Sequence, residues 1–142
     1  MYNYIVFFNY SCSDIGSYSD LTISDAYVKA PLVGSNTTAG YLSITNESNK
    51  DISINGISCD NSEASYFHDN QVVSEGMITM QNIDKISINS GETVHFKPGS
   101  KHVMIDGLKM ELYSNKEINC IFFVYPMRNP LHHFIAHIWL VI

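Results

Sequence analysis

The chain has 142 residues, 45% of them hydrophobic and only 15% charged, with a formal net charge of −6. That length suits one domain with a real core, and the hydrophobic content is too high for a disordered chain. The acidic balance repels phosphates and argues against nucleic acid as a partner, and no apolar run reaches the ~18–20 residues of a membrane-spanning helix.

Tyr4 to Phe8 is apolar but short, and no Lys or Arg precedes Lys29. A secretory signal needs a basic start and ~7–15 apolar residues. The stretch therefore reads as a signal remnant, an irregular arm or a first strand. Leu21 to Lys29 then shows period-2 alternation at Leu21, Ile23 and Tyr27, ended by Pro31. Gly40 to Thr45, Ile52 to Gly56 and Ala64 to His68 read as the next strands. Gly76 to Met80, Ile83 to Ile88, Thr93 to Phe96 and His102 to Ile105 follow. Lys109 to Leu112 and Glu117 to Tyr125 complete the series. Turn signals recur every ~8–12 residues, at Asn89-Ser90-Gly91, Lys97-Pro98-Gly99-Ser100, Asp106-Gly107 and Ser114-Asn115. That pattern predicts an all-β antiparallel sandwich or barrel with little helix. The texture changes at Pro126. Leu131 to Ile142 is His-rich, then apolar, and reads as a last strand, a short helix or a loose end.

Enzymatic chemistry finds little support. There is no Gly-x-Ser-x-Gly elbow and no phosphate-cradling Gly-rich loop, and the carboxylates are scattered among turns. Cys12, Cys59 and Cys120 form no Cys-x-x-Cys pair. Cys59 and Cys120 read either as buried thiols or, in an oxidising compartment, as a disulfide. Cys12 follows a poor match to a lipid-attachment signal.

The His and Met residues carry more. His102 and Met104 are two apart in a predicted strand, so both point to one face. An imidazole beside a thioether suits Cu(I), since a thioether is a soft, neutral ligand with little affinity for harder ions. Taken alone, such a pair is more often core filler beside a surface imidazole. A wider spacing adds to it: His68 is followed at +12 by Met80, Met80 at +22 by His102, and His102 at +2 by Met104.

That His/Met spacing resembles the signature of the periplasmic Cu(I) chaperones of the PCuAC type. Ser24 to Pro31, Ala39 to Asn46, Lys97 to Met104 and Gly107 to Lys109 also resemble that family's strand and ligand-turn motifs. The likeness runs from about Leu21 to Val124. Many members carry Met directly after the first His, where this chain has Asp69, and Pro126 to Ile142 departs from the family's usual polar hairpin and final strand.

The resemblance implies a cupredoxin-like Greek-key β-sandwich or barrel holding one Cu(I) through His68, Met80, His102 and Met104. It divides the chain into an N-terminal arm or signal-peptide remnant (1–20), a copper-chaperone β-sandwich domain (21–125) and a divergent C-terminal tail (126–142). It implies a non-enzymatic periplasmic carrier, tied to the membrane only through a lost or partial N-terminal signal. The implied recipient is the copper-site subunit of cytochrome c oxidase or another copper carrier. The alternative is a structural or adhesive sandwich whose metal site has lapsed. Met77 reads as a packing residue before an auxiliary ligand, and His95 as a surface residue. His132, His133 and His137 would make an extra site only if the tail were helical, which would set the last two on one face.

Overall fold

The computed structural model describes residues 21–109, 117–125 and 134–141. Ten strands run in chain order: β1 Leu21–Lys29, β2 Thr38–Asn46, β3 Ile52–Cys59, β4 Ala64–Val72, β5 Ile78–Ile83, β6 Ile86–Ile88, β7 Thr93–Phe96, β8 His102–Asp106, β9 Glu117–Tyr125 and β10 Phe134–Val141. The only helical element among the described residues is one 3-10 turn at Ser74–Gly76. The strands join in the order β5-β4-β8-β2-β1-β10-β9-β3-β6, with β7 also pairing β2.

That sheet folds on itself into a sandwich. Phe67 of β4 stacks on Phe122 of β9 at 6.2 Å between ring centroids and lies 5.7 Å from Phe96 of β7, although β4 and β9 are not neighbours in the sheet. Alternation explains which side chains meet there. In β9, Ile118, Cys120, Phe122 and Val124 are all buried, while the residues between them are half-buried or exposed. Phe67, Val103 and Ile105 do the same for β4 and β8. This leaves the opposite face of β4 and β8 free for polar chemistry.

One expectation shifts at β1. The register against β2 gains an extra residue between Ser24 and Tyr27, and Asp25 sits at φ 54°. A bulge of one residue reverses the in–out phase. Leu21 is therefore buried before it and Val28 after it, and Tyr27 goes to the outer face. Ile83 to Ile88 likewise divides into β5 and β6 at Asp84-Lys85, and Gly76 belongs to the 3-10 turn rather than to a strand. Residues 110–112 of the expected Lys109 to Leu112 strand lie outside the described residues, as do residues 1–20.

Of the three readings open for Leu131 to Ile142, the last strand is the one seen over Phe134–Val141. Phe134–Val141 lies inside the sheet as β10, parallel to β1 and antiparallel to β9. Its apolar run lets it serve as an inner strand between two neighbours.

Cys59 and Cys120 form a disulfide joining β3 to β9 at directly opposed positions. Crosslinking residues 61 apart in sequence restricts the unfolded chain, a stabilisation of ~2–4 kcal/mol in the chain-entropy account. The Cys59→Ala/Cys120→Ala protein should lose about that much in urea unfolding, with no further loss on adding a reductant. An unchanged midpoint would mean the bridge contributes nothing to the fold.

Candidate metal centre

Three adjacent strands carry the four predicted ligands. His68 of β4 is directly opposite His102 of β8 on one side and Asn82 of β5 on the other. Met104 is opposite Tyr66, and Met80 is opposite Asn70. Opposed residues project to the same face, and so do residues two apart on one strand. His68, Met80, His102 and Met104 therefore share the outer face, back to back with Phe67 and Val103 in the core. The turn into β8 is built by Lys97-Pro98-Gly99-Ser100, where the Ser100 N–H donates to the Lys97 carbonyl at 3.0 Å. Gly99 takes φ 83° at the third position, as a type II turn requires.

The imidazoles are brought together. Their ring centroids are 5.5 Å apart with planes at 88°. His102 is buried, His68 and Met104 are half-buried, and Met80 is 65% exposed. Hydrogen bonds fix which nitrogens are free. His102 Nδ1 donates to the Ser100 carbonyl at 3.0 Å, which leaves the Nε2 lone pair for a ligand. His68 Nε2 pairs with Asn82 Oδ1, and His68 Nδ1 is buried without a hydrogen-bond partner. A buried ring nitrogen without a partner costs free energy unless something binds it.

The register sets the two sulfurs on a diagonal across the imidazoles. Along β4, Met104 lies one pair to one side of the imidazoles and Met80 one pair to the other. In a flat sheet that diagonal is roughly 16 Å between Cα atoms, from strand spacing and rise. The end of β4 and the start of β5 form a hairpin that outruns β8, which pairs only with Ala64 to His68. A bend of that hairpin would have to close the gap for both sulfurs to reach one ion.

A row of aromatic rings frames the pair, and sequence reasoning missed it. Tyr27 and Tyr41 lie 5.2 Å apart, Tyr41 and His102 6.5 Å, and His68 and Tyr66 4.9 Å, measured between centroids. Tyr66 Oη donates to Asp106 Oδ2, which fixes its ring against His68. That bond, then burial and the carboxylate's charge, push the Tyr66 hydroxyl above its ordinary pKa, so it stays protonated at neutral pH. The available signal was Tyr66 standing two residues before His68, on the same strand face. Asp69, where many PCuAC chains carry Met, points to the other side and pairs with Lys101 at 2.9 Å.

The remaining predicted residues lie elsewhere. His95 is exposed, its Nδ1 2.9 Å from Ser43 Oγ. Met77 is 62% exposed rather than packed. His137 falls in strand β10, which removes the helical spacing to His133; His132 and His133 lie outside the described residues. Among the described residues no three of His, Cys, Asp or Glu converge as a metal site. A harder ion would find two imidazoles and little else there.

Residues 21–124 match the family described as "Putative lipoprotein LpqE-like". The chain belongs to the LpqE-like family. This LpqE-like chain is also 31% identical over 98 residues to "Putative lipoprotein Lxx21020" of Leifsonia xyli subsp. xyli (strain CTCB07), covering 68% of the chain and 57% of that relative. It thus spans little more than half of the relative's length. Among solved structures it resembles the copper-bound PCuAC domain from PmoF2, with TM-score 0.66 and 14% identity over 87% of this chain and 94% of that one. It also resembles apo-DR1885 from Deinococcus radiodurans, with TM-score 0.63 and 20% identity over 99% and 91%. The LpqE-like chain therefore has the PCuAC-type fold, a cupredoxin-like β-sandwich.

Proposed function

We propose that this protein is an extracytoplasmic Cu(I) carrier, not an enzyme, which binds one ion through His68, His102, Met104 and Met80 and passes it to a partner. The observation that carries this reading is the imidazole pair, 5.5 Å between centroids. One of its nitrogens is freed by a backbone hydrogen bond, and another is buried with no partner. The thioethers on either flank favour Cu(I) over harder ions. Two neutral nitrogens and two neutral sulfurs hold the ion without a thiolate's grip, which suits a carrier that must release its cargo. Met80, exposed on the hairpin, would be the last ligand to close and the first to open.

The cargo's recipient is the copper-site subunit of cytochrome c oxidase, or another copper carrier. The Cys59–Cys120 disulfide supports an oxidising compartment such as the periplasm. The lipoprotein name of the family supports membrane attachment. The diagonal register of Met80 and Met104 across the imidazoles favours a second reading, a structural or adhesive sandwich whose metal site has lapsed.

A Cu(I) titration against a competing chelator separates the two. The carrier shows one tight site for which Ag(I) competes and Zn²⁺ does not; the lapsed sandwich shows none. Met80→Leu/Met104→Leu preserves volume and fold. It should lower Cu(I) affinity by about 10–100-fold, on the scale of ligand-shell losses in metal sites. If it binds Cu(I) like the parent, the sulfurs are not ligands.

A further inference from the structure

A groove of about 500 Å³ lies between the end of β5, β6 and β7, apart from the imidazole pair. Its apolar lining is Ile83, Ile86 and Val94, and its charged lining is Lys85, Lys97 and Lys101 against the single carboxylate of Glu92. Only eight Lys and Arg occur in a chain of net charge −6, and three of them line this concavity; with Lys101 neutralised by Asp69, Lys85 and Lys97 against Glu92 leave a local positive excess in an otherwise acidic chain. Lys101 is held in place by Asp69 at 2.9 Å. Glu92 is turned to the chain, its Oε2 accepting the Asn89 N–H at 2.7 Å. His95, also in the lining, is tied through Nδ1 to Ser43. The volume falls in the range of small-ligand sites, which combine apolar walls with a few placed polar groups.

We propose that this groove binds an oxyanion with an apolar tail, its carboxylate or phosphate head on Lys85 and Lys97 and its tail on the half-buried Ile83 and Val94. The charges select the head: an ammonium or a neutral head gains nothing from Lys85 and Lys97, while an anion is attracted out of a solution that the rest of the acidic surface repels it from. The apolar walls select the tail, because burying it removes hydrocarbon from water. This site is independent of copper. A free amphiphile and an anionic lipid present the same head and tail, and the experiment distinguishes them.

Octanoate, octanol and octylamine are titrated into the full chain and followed by amide chemical shifts. The same protein is then sedimented with phosphatidylglycerol and with phosphatidylcholine vesicles. Octanoate should move the amides of Ile83, Ile86 and Val94, whereas octanol and octylamine at equal concentration should not. Lys85→Glu/Lys97→Glu changes two exposed side chains. It should raise the octanoate dissociation constant at least tenfold while leaving the thermal midpoint unchanged. Octanoate shifts without vesicle binding identify a free ligand. Sedimentation with phosphatidylglycerol alone, abolished in the double variant, identifies a lipid. Equal shifts from octanol, unchanged octanoate binding in the double variant, or no binding in either arm would overturn the proposal.

Discussion

Removing both imidazoles, as His68→Ala/His102→Ala, should lower Cu(I) affinity at pH 7.5 by at least ~100-fold, more than the ~10–100-fold that loss of supporting outer groups costs a metal site. The variant keeps two thioethers, but they stand on opposite flanks of the vacated positions. The pH dependence gives a second readout. An imidazole binds metal only when neutral, so protons compete with the metal for it in acid. The parent should therefore bind Cu(I) more weakly at pH 5 than at pH 7.5. Thioethers do not titrate. The double-His variant should bind about equally at the two values, while Met80→Leu/Met104→Leu keeps the parent's slope. Competition titrations at both pH values on the three proteins test this. A double-His variant with the parent's affinity or slope would move the copper to other residues.

Phe67→Ala should cost about 3–5 kcal/mol of stability, the range for deleting a buried aromatic side chain. Phe67 is 1% exposed and packs between Phe96 and Phe122, where the two halves of the sandwich meet. Little around it can collapse into the space, because the strands on either side are fixed by their ladders. The loss is a large part of the ~5–15 kcal/mol that holds a typical domain, and should lower the melting temperature by roughly 10–20 °C. Phe67 also sits between Tyr66 and His68 on β4. Copper affinity should fall in the same variant, even though Phe67 faces away from the ion. A cost below ~1 kcal/mol in urea unfolding would show that the core does not depend on this contact.

The strands were legible because one of their faces is buried and turn residues separate them. Glu117 to Tyr125 alternates cleanly, and β9 spans those residues. The phase of β1 past Asp25 was not legible, because a bulge adds a residue without marking the sequence. Phe134–Val141 was ambiguous for a different reason. An inner strand between two neighbours shows a continuous apolar run, which periodicity does not distinguish from a buried helix. At the candidate site, spacing alone placed His102 and Met104 on one face, and the resemblance joined His68 and Met80 to them. The pairing of β4 with β8, which sets the imidazoles edge to face, is a long-range register that no local pattern encodes. Tyr27 and Tyr41 were invisible for the same reason, since they lie on β1 and β2 and approach His102 only across ladders; Tyr66 alone shares a strand face with His68.

The parallel pairing of β10 with β1 sets Tyr27 beside Trp139, nearly the full length of the described chain apart. A growing polypeptide emerging residue by residue holds β1 long before β10 exists to lie between it and β9. Until then each has an open edge and an uncovered apolar flank, the kind of surface that pairs with other chains. Contacts this distant form slowly. The sandwich therefore completes late, and a message truncated before Phe134 should yield a sticky, aggregating product rather than a smaller working one.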